Sequence, residues 1–438
     1  MKAEAHIDSD SRTQCGPFSE FDVLVAGAGI SGLIAACRLA QSGARVALVE
    51  ARARIGGRIH SIRVQGSSLP IELGAEFIHG RPPELLQLLA ETGARYFELD
   101  GDSLRVHEGK LQARDFGDAF SVLHQLPEEP DRSFASWLAE QSLPEAAARS
   151  ATAFVEGFNA ADSTVIGTKS LVVQQRAEDA IDGDRTFRLE EGYSSVAESL
   201  KGRFLAAGGI LLLSTPVHTI RWKPGQVEAE ANTETSETLC LRAKQCVLTL
   251  PLGVLQSGTI HFDPVPARPI AAALRLAMGS ATRVTFVFAE RFWAAQHPEL
   301  RFLFLEDALP SVWWTPAPNT ASTLTAWVGG PRTKSPAIAG HGLIDRGIVE
   351  LAKAFSLPPD SIRSQVRSWH THDWQNDPFS RGAYSYVPAG ALDALSILAE
   401  PVENTLFFAG EHTDTEGTWS TVHGALRSGL RAVGQILG

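Results

Sequence analysis

An apolar segment near the start of the chain runs directly into three regularly spaced glycines. Residues 21–26 have the composition of a buried parallel strand, and the apolar residues behind the glycines recur at helical spacing. Gly27, Gly29 and Gly32 therefore lie at a predicted strand-to-helix junction, the context that a Gly-x-Gly-x-x-Gly motif requires. There the first glycine permits a tight turn, the second lets the backbone approach a pyrophosphate, and the third lets the helix pack on the strand. Because the helix N-terminus also presents unpaired N–H groups to an anion, this segment predicts a bound dinucleotide.

The next predicted strand ends in a carboxylate. Glu50 follows that strand, 18 residues after the third glycine. A carboxylate at this distance suits a hydrogen bond from a ribose hydroxyl. Paired glycines flanked by Arg52, Arg54 and Arg58 come next, and basic groups beside exposed backbone suit phosphate. The sequence contains no second Gly-x-Gly-x-x-Gly motif, which disfavours an enzyme that uses both a flavin and a nicotinamide.

Composition and charge narrow the choice of partners. The chain of 438 residues is long enough for roughly two to three domains, and its 44% apolar content fits a soluble globular protein. Its 39 basic and 50 acidic residues give a net charge of −11, which disfavours nucleic acid or an anionic membrane as a partner. The same charge fits a cationic ligand and simple solubility equally well. The four cysteines have no metal-ligand spacing, so no metal site is predicted and the thiols are expected to be reduced.

The first residues carry no sign of export. Residues 1–20 contain several charged side chains without an apolar core, and they are expected to be flexible. No apolar run of 18 residues occurs in the sequence. We therefore expect a cytoplasmic protein without a membrane partner.

A second glycine-rich segment brackets two polar residues. Glu76 and His79 lie in an otherwise apolar stretch between Gly74 and Gly80. One interpretation is an ordinary structural histidine with satisfied hydrogen bonds. The flanking glycines favour the other interpretation, in which this segment forms the wall of a pocket.

The remainder of the chain alternates between helical and strand-like segments. An alanine-rich helical segment at 130–182 predicts a cap over a pocket. Short strands are predicted at 210–213, 217–222, 227–231, 239–242 and 246–250, and a separate antiparallel sheet is predicted within 282–328. Near the end, a strand, a loop containing Gly410 and Glu411, and a helix rich in small residues are typical of a cofactor site.

This alternation predicts two domains that are interleaved in the sequence. Residues 21–81, 190–268 and 390–438 are predicted to form a cofactor-binding domain. Residues 82–189 and 269–389, including the helical cap, are predicted to form a substrate-binding domain.

Several motifs, taken in order, resemble the flavin-dependent amine oxidase family, and most closely its polyamine oxidases and lysine-specific histone demethylases. The motifs are Gly27-Ala-Gly-Ile-Ser-Gly32, Gly56-Gly57-Arg58-Ile59, Leu73-Gly74-Ala75, Leu250-Pro-Leu-Gly-Val254, Gly382-Ala-Tyr-Ser-Tyr386, Phe408-Ala-Gly-Glu-His412 and Thr421-Val-His-Gly-Ala425. The resemblance covers nearly the whole chain. It implies an α/β fold in which a Rossmann-type FAD-binding domain is interleaved with a substrate domain of mixed sheet and helices, as in amine oxidases and p-hydroxybenzoate hydroxylase.

The resemblance also implies the cofactor site. Glu50 would bind the adenosine ribose, Arg58 the phosphates, Val217 the adenine edge, and Glu411 the ribityl and pyrophosphate region. Thr421 and Val422 would lie beside the flavin pyrimidine, where the positive end of a helix stabilises negative charge. The full set of cofactor-binding residues implied is Gly27, Gly29, Ile30, Ser31, Gly32, Glu50, Ala51, Arg52, Gly57, Arg58, Gly74, Ala75, Glu76, Val217, Gly410, Glu411, Thr421 and Val422.

Three positions depart from the family pattern. Ala383 stands where monoamine oxidases carry a flavin-bonded cysteine, so non-covalent FAD is expected. Tyr384 would form one wall of the aromatic cage around the substrate amine, but the second wall is Thr421. Arg283 stands where the family has a lysine that holds a water against flavin N5.

The resemblance assigns the remaining site residues. Glu76 and His79 fall where polyamine oxidases contact substrate nitrogens; a carboxylate there would favour a cation, and a neutral histidine would accept a hydrogen bond. Trp374 and Tyr384 complete the expected substrate contacts, although Trp374 fits a core position equally well. Arg283, Tyr384 and Thr421 are the expected catalytic residues.

The expected reaction is oxidation of a polyamine or another primary or secondary amine to an imine. The α-hydrogen would pass as hydride to flavin N5, water would hydrolyse the imine, and oxygen, with release of hydrogen peroxide, or another acceptor would reoxidise the flavin. One alternative is an L-amino acid oxidase or dehydrogenase of the same fold, in which Arg283 pairs with a substrate carboxylate. A second is a flavin-binding scaffold or sensor with little turnover.

Overall fold

The computed structural model describes residues 20–107, 109–114, 117–233, 237–305, 308–338 and 342–438. Apart from Glu20, the segment predicted to be flexible lies outside this range. The strands, in chain order, are β1 (Phe21–Ala26), β2 (Val46–Val49), β3 (Ser61–Ile62), β4 (Ile71–Glu72), β5 (Phe77–His79), β6 (Tyr96–Glu98), β7 (Asp102–His107), β8 (Lys110–Ala113), β9 (Thr186–Leu189), β10 (Ile210–Leu212), β11 (Val217–Lys223), β12 (Gln226–Asn232), β13 (Thr238–Leu248), β14 (His261–Asp263), β15 (Ala277–Met278), β16 (Ala281–Phe288), β17 (Leu300–Phe304), β18 (Val312–Trp314), β19 (Thr323–Gly329), β20 (Val366–His370), β21 (Ser385–Tyr386) and β22 (Leu406–Phe408). The α-helices are α1 (Ile30–Gln41), α2 (Pro83–Thr92), α3 (Gly117–Leu123), α4 (Phe134–Leu138), α5 (Glu145–Phe158), α6 (Thr168–Asp179), α7 (Tyr193–Ala206), α8 (Leu252–Gln256), α9 (Ala267–Ala273), α10 (Gly342–Ala354), α11 (Pro359–Arg363), α12 (Asp393–Ala399) and α13 (Val422–Leu437).

The strand that precedes the glycine motif lies in the middle of a sheet of eight described strands. The order is β10-β2-β1-β13-β12-β11-β14, with β22 also paired to β13. Strands β10, β2, β1, β13 and β22 run parallel. Helices α1, α7 and α13 pack together over this part of the sheet, which gives the apolar parallel strands the buried faces that they require. The predicted junction of strand, turn and helix is therefore confirmed.

The two short strands predicted at 239–242 and 246–250 are in fact one strand, β13. Its first half pairs antiparallel with β12, and its second half pairs parallel with β1 and β22. The polar residues between the two runs look like a turn in the sequence. Lys244 instead lies on the solvent face of the continuous strand, where its ammonium group pairs with Asp22 at 2.8 Å.

The second sheet has seven described strands in the order β20-β16-β19-β18-β17-β7-β8. Neighbouring strands are antiparallel except for β7 and β17, which run parallel. Helix α10 packs its apolar face on the sheet, and Gly347 allows close contact with Trp313. A second, largely antiparallel sheet is as predicted; the residue bounds of the two domains remain a prediction.

Helices α4, α5 and α6 lie in the region predicted as a cap and share a small apolar core with α3. No described helix combines the length and the apolar character needed to cross a membrane. Cys37 and Cys246 are buried free thiols, but Cys240 is disulfide-bonded, so the prediction of reduced cysteines is wrong at that position.

Candidate active site

A cavity of about 1450 Å³ is lined by residues from both large sheets and from the cap. Single-ligand pockets usually enclose roughly 300–1,000 Å³, so this cavity has room for a dinucleotide and a substrate together. The predicted site residues on its wall are Gly27, Gly29, Ile30, Ser31, Glu50, Ala51, Arg52, Gly57, Arg58, Gly74, Ala75, Glu76, His79, Val217, Arg283, Trp374, Tyr384, Gly410, Glu411, Thr421 and Val422. The fold thus brings the predicted cofactor and substrate residues to one cavity.

The glycine turn has the geometry that a phosphate cradle needs. Gly27 has a φ of +105°, and a Cβ on Gly32 would come within 1.9 Å of the Gly27 carbonyl oxygen. Gly32 therefore packs the helix on the strand and does not itself line the cavity. Beside Gly29 there is open space, and α1 begins at Ile30 without a side-chain cap. The first N–H groups of α1 consequently remain for an anion, and the cradle fits a pyrophosphate.

The Glu50 carboxylate lies at the cavity wall and is held by two backbone groups. The N–H of Ala28 donates to Oε2 at 2.8 Å, and the N–H of Arg52 donates to Oε1 at 2.9 Å. Each carboxylate oxygen keeps a further acceptor direction. The geometry fits the predicted hydrogen bond from a ribose hydroxyl.

The Arg52 guanidinium is held away from Glu50 by a carboxylate that the sequence reasoning missed. Its NH2 donates to Asp377 at 2.5 Å, whereas its closest approach to Glu50 is 3.9 Å. His372 Nε2 lies 2.8 Å from the other oxygen of Asp377. Burial raises the pKa of Asp377, but the hydrogen bonds from Arg52 and His372 outweigh it and hold the pKa below its usual value. Asp377 therefore keeps Arg52 from occupying the Glu50 carboxylate.

Glu411 lies at the centre of a buried set of donors. It accepts hydrogen bonds from the Ser385 hydroxyl at 2.5 Å, the Ser420 N–H at 3.0 Å and Arg58 at 2.8 Å. Burial raises the pKa of Glu411, but Arg58 and these hydrogen bonds outweigh it and lower the pKa. The carboxylate therefore joins three separate segments of the chain around the cavity, one of them strand β21. Direct contacts of Glu411 and Arg58 with a cofactor remain predictions.

Thr421 is the N-cap of α13. Its hydroxyl accepts a hydrogen bond from the Gly424 N–H at 2.9 Å and donates to the Thr418 carbonyl at 2.6 Å. The Thr421 side chain thus caps α13, and the positive N-terminal end of this helix lies at the cavity. This geometry favours the predicted electrostatic function of the helix end over direct catalysis by the hydroxyl.

Glu76 and Arg283 form a buried ion cluster with Arg188. Arg283 donates to Glu76 at 2.5 Å, and Arg188 lies 2.8 Å from its other oxygen. The Trp314 indole N–H adds a third contact at 3.2 Å, and Arg283 also donates to the Gly74 carbonyl at 2.8 Å. Burial raises the pKa of Glu76, but the two arginines outweigh it and hold the pKa below its usual value.

This cluster changes the predicted roles of Glu76 and Arg283. Because its oxygens are already held by cationic and N–H donors, Glu76 is poorly placed to receive a substrate cation. Both terminal nitrogens of Arg283 are also paired and its Nε is buried, which argues against its pairing with a substrate carboxylate or holding a water as the family lysine does. The sequence offered no signal for the pairing, because Arg188 and Trp314 belong to other strands.

Aromatic rings and neutral histidines line the predicted substrate end. The His79 ring packs edge-on against Phe158 at 5.4 Å, and Phe158 stacks on Phe154 at 5.2 Å. The Tyr384 hydroxyl donates to the Phe158 carbonyl at 2.7 Å, which fixes its ring. Burial lowers the pKa of His79 to about 4, so at neutral pH it is an uncharged acceptor.

Trp374 has features of both a core residue and a cavity residue, the two interpretations that the sequence allowed. Its indole N–H donates to the Leu73 carbonyl at 2.8 Å, and its ring packs against His372, yet it also lines the cavity. Lining residues that the sequence reasoning did not single out include Trp327, Gln174 and Glu178, on elements that carry no family motif, and His423, inside the motif that begins at Thr421. His423 directly follows Val422, and that adjacency was an available signal.

Fold and site together are those of a dinucleotide-binding α/β protein in which the glycine turn and a group of aromatic side chains line one cavity. The chain belongs to the family of flavin-containing amine oxidoreductases, whose family model matches residues 30–109 and 94–437. The protein is accordingly a flavin-dependent enzyme of amine oxidation, and FAD is its cofactor.

Curated relatives resemble the chain along most of its length. Peroxisomal N(1)-acetyl-spermine/spermidine oxidase of Bos taurus is 26% identical, and the match covers 95% of this chain and 94% of that protein. Lysine-specific histone demethylase 1 homolog 2 of Oryza sativa subsp. japonica is 28% identical, with 95% of this chain covering 57% of the longer protein.

Solved structures show that the fold is shared. Wild-type putrescine oxidase bound to putrescine matches with a TM-score of 0.82 at 22% identity, over 96% of this chain and 100% of that one. Cyclohexylamine oxidase from Brevibacterium oxydans IH-35A matches with a TM-score of 0.80 at 24% identity, over 95% of this chain and 98% of that one.

Proposed function

We propose that the protein oxidises a primary or secondary amine to an imine, which water then hydrolyses. When bound, the flavin supplies the acceptor for the α-hydrogen, which leaves the substrate as a hydride to N5, and oxygen or another acceptor restores the flavin. The observation that carries the proposal is that one cavity is lined both by a glycine turn that fits a pyrophosphate and by a group of neutral and aromatic side chains.

The chain's own residues would prepare the amine for this reaction. An amine with a pKa of about 10 needs roughly 4 kcal/mol to lose its proton at pH 7. An aromatic chamber lowers that cost because desolvation disfavours the charged form. Neutral His79 and the fixed Tyr384 ring would orient the nitrogen, and the Phe158 ring that packs against His79 would make the surroundings of the amine less polar.

The test is anaerobic flavin reduction by a panel of amines. Monoamines, diamines, polyamines and L-amino acids are mixed with the holoenzyme, and loss of the oxidised flavin absorbance is followed. Reduction by one or more amines supports the proposal. Reduction by L-amino acids alone favours an amino acid oxidase, and reduction by none favours the scaffold.

FAD is expected to be bound without a covalent link. Ala383 packs at the cavity wall with a methyl side chain that offers no nucleophile to the flavin ring. Acid or heat precipitation should therefore leave intact FAD in the supernatant, as measured by its absorbance and chromatographic mobility. Flavin that stays with the washed precipitate would contradict this prediction.

A further inference from the structure

One face of α6 carries two polar side chains at the cavity wall whose acceptor atoms are not paired by the described residues. Gln174 and Glu178 are one helical turn apart and both line the cavity wall. Gln174 is only 8% exposed, and its Oε1 has no hydrogen-bond partner among the described residues. The Glu178 carboxylate likewise makes no hydrogen bond or ion pair with the part of the chain that the structure describes.

Unpaired buried acceptors are unfavourable in a folded protein without a ligand. Burial raises the pKa of Glu178 to about 7, and the neighbouring Asp179 adds to the shift. No described cation compensates the carboxylate, in contrast to Glu76, which two arginines surround. The pair on α6 therefore differs from the structural ion pairs of this protein.

Two close backbone contacts join this pair to the predicted substrate end. The Gly183 N–H donates to the Glu178 carbonyl at 2.8 Å, and a Cβ on Gly80, which directly follows His79, would lie 3.1 Å from the Gly183 Cα. On the other side, Gly417 packs on Ala177 of α6 shortly before the helix end at Thr421. Glu178 thus lies between the turn after His79 and the loop that leads to α13.

Two histidines on the wall of the same cavity are uncharged and can accept hydrogen bonds. Burial lowers the pKa of His79 to about 4 and that of His423 to about 3, so both imidazoles are neutral near pH 7. An ammonium group has three donors and no acceptor, and it therefore complements such a set of acceptors. A substrate carboxylate would instead face Glu178 and be repelled.

We propose that Gln174 and Glu178 bind a second, non-reacting ammonium group of the substrate, which is therefore a diamine or a longer linear polyamine. This assignment rests on the proposed function, because one amino group must react while the other is held on α6. A monoamine of the same length fills the chamber but leaves both acceptors unpaired.

The test compares diamines with monoamines of equal carbon number, from butyl to decyl chains. For each compound the apparent dissociation constant is measured from anaerobic flavin reduction by the holoenzyme. The wild-type protein is expected to bind one or more diamines about tenfold to a hundredfold more tightly than the matched monoamine, the range of one charge-assisted hydrogen bond. Glu178→Gln is expected to remove most of that preference, because the affinity for the diamine falls toward that for the matched monoamine.

Two further variants separate this effect from general damage. Gln174→Leu removes the other acceptor and is expected to lower the diamine preference by a smaller factor. Glu198→Gln changes an acid on α7 that pairs with Lys201 outside the cavity, and it is expected to change neither affinity. FAD content and melting temperature report whether each variant folds.

Equal affinity of the wild-type protein for diamines and monoamines would overturn the assignment, as would a diamine preference that survives in Glu178→Gln. Failure of the proposed function has a different signature, namely no flavin reduction by any amine. In that case calorimetric titration with the diamines still tests the assignment. Diamine binding by the wild-type protein that is lost in Glu178→Gln supports the site. No binding by the wild-type protein, or equal binding by the variant, overturns it.

Discussion

Glu50→Ala is expected to weaken FAD binding about tenfold to a hundredfold. The Glu50 carboxylate lies at the cavity wall with one acceptor direction of each oxygen occupied by backbone N–H groups. A ribose hydroxyl that donates to such a carboxylate contributes about 1.5–3 kcal/mol, and alanine removes it. The variant also leaves the N–H groups of Ala28 and Arg52 without their partner. Titration of the flavin-free protein with FAD, followed by quenching of flavin fluorescence, measures the change.

Two variants control this experiment. Glu50→Gln keeps the shape but puts an amide NH₂ against a backbone donor, so it is expected to weaken binding as well. Glu198→Ala removes a carboxylate outside the cavity and is expected to bind FAD normally. If Glu50→Ala has the wild-type dissociation constant and melting temperature, Glu50 does not bind the ribose.

Arg283→Met is expected to lower the free energy of unfolding by about 3 kcal/mol, near the lower end of the range for a broken buried ion pair. The substitution removes the 2.5 Å contact with Glu76 and leaves Arg188 as the one remaining cationic partner of that carboxylate among the described residues. Both side chains of the pair are almost completely buried, so solvent does not replace the lost contact. Urea unfolding of the flavin-free protein, followed by tryptophan fluorescence, measures the loss.

Arg283→Lys is the matched variant. Lysine keeps the charge but has no planar fork, so it is expected to retain the Glu76 contact or the Gly74 contact and to lose less stability than methionine. Equal stability of Arg283→Met and the wild-type protein would show that the cluster contributes nothing to folding. The same lysine variant tests oxygen reactivity: if the family lysine at this position promotes the reaction of reduced flavin with oxygen, Arg283→Lys reoxidises faster than the wild-type protein.

The geometry of the glycine turn and the position of Glu50 beside it were predictable because their signals are local. Strand β1, the glycine turn, α1 and β2 with Glu50 occupy one continuous stretch of 30 residues, Phe21 to Glu50. Within such a unit, the periods of strand and helix and the conformational needs of glycine decide the geometry together. The resemblance to amine oxidases then supplied the distant motifs, but only as expected contacts.

The tertiary structure alone decided what the charged side chains meet. The Glu76 carboxylate looks like a cation site in the sequence, yet its partners Arg283 and Trp314 lie 207 and 238 residues further along the chain. Strand β13 is a second feature that the sequence alone did not predict, because its continuity depends on pairing with both β1 and β12. Periodicity tells which face of an element is buried. Which side chains contact that buried face depends on the order and register of the strands, and these are determined by packing between strands that are distant in the sequence. The cluster around Glu76 and the unpaired acceptors of α6 therefore appear only in the folded protein.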